Sequence, residues 1–272
     1  MSILSSIILG IIQGLTEFLP ISSSGHLVIF HDILNWQTAD NLAFDVFLHW
    51  GTLVALVIYF YKDIIRYLQA FLKSLTNWQV KQNLDQRIAW LILLSMLPAG
   101  IAGFFLEDVV KEIFRTSLSV ALVLIIVSLT FFLAEKYSSQ LNDLVSLNWG
   151  KALIIGCAQA LALIPGVSRS GITIVAGLSL NLKREVAAKI SFIMSIPIVL
   201  VAGLKKIYDL SQQTVSSQEI VLMSLGLVSA ALIGYICLKY FLQYVQKHSL
   251  NVFAVYRIIL GLIVLVLILA PR

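Results

Sequence analysis

PGVSRSGIT, running from Pro165 to Thr173, places an arginine flanked by two serines inside a stretch otherwise made of leucine, isoleucine, valine and alanine. What surrounds Arg169 decides the fold. The chain has 272 residues, of which 59% are hydrophobic and 12% charged, with a mean hydropathy of +0.94. A soluble chain devotes about a quarter of its residues to charge, so this composition describes an integral membrane protein whose solvent is mostly lipid. An arginine at the bilayer centre then costs at least ~2.5–3.5 kcal/mol and requires a partner.

Working outward from Arg169, a bilayer core of about 30 Å takes roughly 20 helical residues to cross. Segments near 42–61, 88–106, 117–135, 187–206, 219–239 and 251–270 qualify as full spans. Two regions, 2–36 and 150–182, are broken at PISSSGH and PGVSRSG into pieces too short to span, and read as re-entrant helical hairpins with polar tips. The order half-helix, tip, half-helix, three spans occurs twice, so the single membrane domain reads as a first repeat over about 1–136 and a second over about 150–270. An offset of 145 lays Pro20 on Pro165 and Ser23 on Ser168, whereas 146 pairs Gln13 with Gln159 and Gly25 with Gly171. Three spans per half make the repeats inverted. The expected class is an all-α polytopic membrane protein with six full spans and two re-entrant hairpins.

Charge placement agrees with that topology. With the 62–87 loop inside, twelve of the nineteen Lys and Arg residues are inside and five outside, while Arg169 and Arg257 lie within apolar segments. Such a bias follows the positive-inside rule. No Lys/Arg run forms a nucleic-acid patch despite the formal charge of +5, so no nucleic-acid partner is expected. The first twenty residues lack the basic region and cleavage site of a signal peptide and are expected to stay in the mature protein. Cys157 and Cys237 read as small buried hydrophobes. Segment 64–75 suits either an interfacial amphipathic helix or a solvated connector. Pro98 and Pro197 read as kinks within spans, and Glu135 with Lys136 as an interfacial helix end.

Each tip opens a helix, and helix N-termini carry unpaired N–H groups that attract anions, phosphate above all. Arg169 adds a guanidinium fork suited to phosphate oxygens. Ser22 and Ser24 are equally readable as ordinary N-caps. Gln13 and Glu17, four apart, share one helix face. Glu17 could hold a divalent cation, take a proton from a serine nucleophile, or pair with Arg169. His26, three residues after Ser23, could orient that serine, protonate a leaving group or attack phosphorus itself. Asp45 and His49 could add a ligand to the cavity or bond one another across a turn.

Gln13-Gly-Leu-Thr-Glu17-Phe-Leu-Pro-Ile-Ser-Ser-Ser-Gly-His26, followed later by Pro-Gly-Val-Ser-Arg-Ser-Gly-Ile-Thr, resembles the two motifs of bacterial undecaprenyl-diphosphate phosphatases of the bacitracin-resistance type. The resemblance covers the whole chain. It implies hydrolysis of an isoprenyl diphosphate lipid to its monophosphate, recycling the carrier of cell-wall synthesis, with the site opening to the outer face of the bacterial plasma membrane. Candidate catalytic residues are Ser23, His26, Glu17 and Arg169, with Ser23 and His26 both open as nucleophile. Candidate substrate contacts are Gln13, Ser22, Ser24, Gly25, Gly166, Ser168, Ser170, Gly171 and Thr173. A divalent cation, Mg²⁺ or Ca²⁺, is expected at Glu17, and no organic cofactor. Where many relatives carry two glutamates this chain has Gln13 and Glu17, leaving one ionised carboxylate. Membrane lipid surrounds the protein, and a homodimer is compatible with the pattern. The rival reading is a transporter or flippase for a phosphorylated lipid or small anion, since inverted repeats with half-helices pointing at an anion also describe transporters.

Overall fold

A computed structural model describes residues 2–33, 36, 41–212 and 216–270. Among them are eleven α-helices, with no strand beyond an isolated bridge between Asn142 and Leu182. Six helices are long and apolar enough to cross a membrane: α3 (Asn41–Tyr59), α5 (Leu84–Phe114), α6 (Ser117–Tyr137), α9 (Arg184–Ser211), α10 (Ser217–Tyr244) and α11 (Asn251–Leu269). These coincide with the six spans expected from hydropathy, and the chain is an all-α, multi-pass membrane protein. Pro98 and Pro197 lie inside continuous helices. Large apolar side chains such as Phe104, Ile126, Leu232 and Val266 are exposed on the outside, as lipid contact demands.

Four helices are shorter: α1 (Ile3–Phe18), α2 (Ser23–Ile33), α7 (Trp149–Leu161) and α8 (Arg169–Ser179). At 1.5 Å per residue they reach only ~16–24 Å, less than the hydrocarbon thickness. The chain breaks between each pair because proline lacks the N–H that a helix needs and pushes its predecessor out of helical geometry. Leu19, before Pro20, is accordingly extended at ψ 137°. Each break ends on a serine in the left-handed region, Ser22 at φ 73° and Ser168 at φ 72°. Each serine then caps the next helix: Ser22 Oγ accepts from Gly25 N at 3.3 Å, and Ser168 Oγ from Gly171 N at 3.1 Å. The two turns thus correspond at a spacing of 146 residues, and the alternative spacing of 145 fails because it sets Ser23 against the Ser168 cap.

The short helices pack across the halves. α1 lies along α10 and α7 along α5; α3 meets α9, and α6 meets α11. Exchanging the halves maps these contacts onto one another. Gly10 and Gly156, again 146 apart, permit both close approaches: Gly10 abuts the Gly226 carbonyl, and a Cβ on Gly156 would fall 2.6 Å from the Ser95 carbonyl oxygen. Helix α4 (Tyr61–Thr76) has no counterpart among the described residues of the second half. It buries Tyr67 and Ser74 and exposes Tyr61, Ile65, Leu68, Leu72 and Leu75, a stripe at helical spacing that suits an interface with lipid.

Glu135 lies at the end of α6, as expected, and its carboxylate takes the Arg184 guanidinium and accepts from Leu250 N at 2.8 Å, fastening α6 to α9 and α11. Cys157 is exposed, since it faces outward from α7, while Cys237 is buried as expected. The loop charges assigned to Arg272 and to the Lys111 side chain lie outside the described residues.

Candidate active site

The turn before α2 and the turn before α8 meet. Gly166 N donates to Ser22 Oγ across the junction at 3.1 Å, and Ser170 Oγ donates to the Glu17 carbonyl at 3.1 Å. Beside this junction lies a cavity of about 230 Å³ lined by Glu17, Ser23, Ser24, His49, Ser168 and Arg169, with Ala162, Leu163, Ile198, Val199 and Ala202 as its apolar wall.

Glu17, buried at the end of α1, is the hub. Its Oε2 accepts from Ser23 Oγ at 2.5 Å and from Gln13 Nε2 at 3.0 Å, and lies 3.5 Å from His49 Nε2. Its Oε1 accepts from Arg169 Nη2. One carboxylate therefore joins a hydroxyl on the first turn to a guanidinium on the second. The pairing answers the question raised by the arginine: an isolated buried guanidinium is expensive, and a carboxylate with further hydrogen bonds offsets that cost. Half of the fork stays open. Arg169 Nη1 is buried and has no hydrogen-bond partner among the described residues, which leaves a charged donor at the cavity for an incoming oxyanion.

Helix starts supply the rest of the anion-attracting field. α2 begins at Ser23 and α8 at Arg169, so the first N–H groups of both lack helical partners and concentrate positive partial charge at the turns.

Of the residues singled out from sequence, Glu17, Ser23, Ser24, Ser168 and Arg169 line the cavity. Gln13 stands behind Glu17, holding Oε2 while its own Oε1 is buried without a partner. Ser22, Gly25, Gly166, Ser170 and Gly171 build the turns rather than face the cavity. Thr173 bonds the Arg169 carbonyl at 2.7 Å and Ser191 Oγ at 2.5 Å, tying α8 to α9. His26 is not brought to Ser23. Its Nδ1 meets the Ser22 carbonyl at 2.8 Å and its Nε2 meets Tyr256 Oη at 2.9 Å, with the two rings stacked.

Asp45 and His49 part company. His49 Nδ1 meets the Asp45 carbonyl at 2.8 Å and turns Nε2 into the cavity, while the Asp45 carboxylate pairs with His31 and Arg115 away from it. Among the described residues no three His, Cys, Asp or Glu side chains converge as a metal site. Arg257 was set aside in the sequence as one of two intramembrane charges; it proves fully buried, donating to the carbonyls of Pro20, Gly166 and Val167.

Comparison with known proteins matches nearly the whole chain. The family model described as bacitracin resistance protein BacA matches residues 6–263. An undecaprenyl-diphosphatase of Thermomicrobium roseum is 39% identical over 98% of this chain and 99% of its own length. One from Trichlorobacter lovleyi is 42% identical, covering 98% and 97%, and undecaprenyl-diphosphatase 2 of Stutzerimonas stutzeri is 41% identical, covering 98% of each.

Proposed function

The chain belongs to the bacitracin resistance protein BacA family, and on that premise we propose how it hydrolyses undecaprenyl diphosphate to undecaprenyl phosphate and inorganic phosphate. The diphosphate enters the cavity between the turns while the isoprenyl tail stays in the bilayer. Arg169 holds the terminal phosphoryl group through Nη1, with the first N–H groups of α2 and α8 adding to its field. Ser23 Oγ attacks the terminal phosphorus as its proton passes to Glu17 Oε2, already 2.5 Å away. The bond from that phosphorus to the bridging oxygen breaks, and the lipid monophosphate leaves with the proton that Glu17 took from Ser23, so Glu17 is again ionised. Water, deprotonated by Glu17 or His49, then hydrolyses the phosphoserine, returning Ser23 and releasing phosphate. The observation that carries this reading is the single carboxylate of Glu17 joining Ser23 and Arg169 across the two turns.

We propose that a divalent cation, Mg²⁺ or Ca²⁺, would be held at Glu17, the carboxylate that lines the cavity and whose oxygens such ions prefer. When bound, it would offset charge on the transferring phosphoryl group.

The re-entrant, inverted arrangement of the two halves is supported by the short lengths of α1, α2, α7 and α8 and by the exchange symmetry of their packing. We infer that the enzyme sits in the bacterial plasma membrane with its site open to the outer face; the excess of Lys and Arg on the side of the α4–α5 loop supports that orientation. Transport is the less favoured reading, since the relatives are named for hydrolysis. Phosphate release from farnesyl diphosphate by detergent-purified protein tests the proposal. Turnover that is lost in Ser23→Ala and Arg169→Ala supports it, and turnover retained in both contradicts it.

A further inference from the structure

Arg257 is 0% exposed, yet its partners are three backbone carbonyls and one hydroxyl. Nε donates to Ser128 Oγ at 3.1 Å, Nη1 to Pro20 O at 3.3 Å and to Val167 O at 3.0 Å, and Nη2 to Gly166 O at 2.8 Å. The guanidinium carbon lies 5.2 Å from the centroid of the Phe131 ring. Pro20 belongs to the first turn, and Gly166 and Val167 to the second. A charge buried on neutral dipoles is costly in lipid, and packing alone would be served better by leucine or methionine.

We propose that Arg257 is a positioning residue that clasps the two turns from behind and fixes the separation at which Glu17 reaches Ser23 on one side and Arg169 on the other. A planar fork with five donors can satisfy several carbonyls at fixed angles, which a lysine ammonium cannot. The carbonyls it gathers lie outside any helix and have no helical partner, so without the fork they would be buried and unsatisfied. Trans peptide geometry then sends the N–H of Ser168 to the side opposite the carbonyl of Val167, turning the donor edge of the second turn away from Arg257.

The neighbouring residue on α11 extends the clasp. The Ser22 carbonyl can only accept, so His26 Nδ1 carries the proton, and in the neutral ring Nε2 accepts from Tyr256 Oη. Tyr256 thereby fixes the His26 tautomer that holds the first turn, while Arg257 joins it to the second. His26 is assigned a positioning role on this ground, in place of the nucleophilic one.

This inference rests on the proposed hydrolysis at Ser23, and the test separates the two. Steady-state phosphate release from farnesyl diphosphate is measured for wild type, Arg257→Lys, Arg257→Met, Tyr256→Phe and Ser23→Ala, together with thermal unfolding in detergent. Arg257→Lys keeps the charge and is expected to stay folded, with kcat down about 10- to 100-fold and KM within about threefold, the pattern of displaced catalytic groups with binding left intact. Arg257→Met is expected to lose kcat further and to melt earlier. Tyr256→Phe removes one exposed-side hydroxyl and is expected to lower kcat about 3- to 10-fold with an unchanged melting temperature. Wild-type kcat in folded Arg257→Lys overturns the proposal, as does Arg257→Met protein whose surviving folded fraction turns over normally. Should Ser23→Ala turn over normally while Arg257→Lys does not, the chemical reading fails and the clasp survives.

Discussion

The turn at 19–22 and the turn at 165–168 each end on a capping serine and differ in chemistry. Both end on a left-handed serine, Ser22 or Ser168, that caps a helix through the N–H three residues on. In the position after the cap, one carries Ser23 and the other Arg169; where Glu17 precedes the first turn, the 146-residue spacing sets Leu163 before the second. On the proposed mechanism, one helix start supplies the group that reacts and the other the group that holds. The strain of a non-glycine residue at positive φ, of order 1–3 kcal/mol, recurs at both turns, where it aims the following side chain into the shared cavity.

Substitutions at the two diverged positions should break the comparison most. Ser23→Ala removes the proposed nucleophile and is expected to reduce kcat by about 10³-fold or more, with Glu17→Gln close behind because the hydroxyl would lose its proposed proton acceptor. Phosphate release at saturating substrate checks both. Arg169→Lys keeps the charge but loses the fork, and is expected to lower kcat/KM by about 10²–10³-fold with a clear rise in KM, unlike the serine variant. His49→Gln, on the cavity wall, should cost about 10-fold in kcat and leave substrate affinity near that of the wild type.

At the shared positions the effect should fall on stability instead. Ser168→Ala removes one helix cap, worth about 1 kcal/mol. Ser22→Ala removes a cap and also strips the buried Gly166 N–H of its partner, so it should be the more damaging by about another 1–3 kcal/mol. Thermal unfolding of the two variants in one detergent measures the difference, and equal melting temperatures would show that the cross-turn bond contributes nothing.

The spans were legible in sequence because lipid imposes one strong requirement, an apolar run of fixed length, and α3, α5, α6, α9, α10 and α11 all meet it. The Glu17, Ser23 and Arg169 cluster was legible for the converse reason, since polar groups in apolar surroundings announce a need for partners. What the sequence could not resolve was direction. His26 is one turn beyond Ser23, yet a helix rotates 100° per residue, and its ring points toward α11 and Tyr256 instead of the cavity. His49 was indistinguishable from a residue bonding within its own helix until α3 was set against α1. Arg257 gave a signal of the same kind as Arg169, an arginine in an apolar run, but without a motif around it. Its partners include backbone carbonyls ninety or more residues away, which no side-chain pattern encodes. Glu135 is the helix end the sequence indicates, but its partner Arg184 is supplied by another helix and leaves no mark near it.

The most direct test of the account is acid-quenched, single-turnover reaction of the purified enzyme with an isoprenyl diphosphate labelled in the terminal phosphate, followed by peptide mapping. The account predicts label on the peptide containing Ser23, lost in Ser23→Ala together with turnover and undiminished by Ser24→Ala. Label on His26, or full turnover in Ser23→Ala, would contradict it.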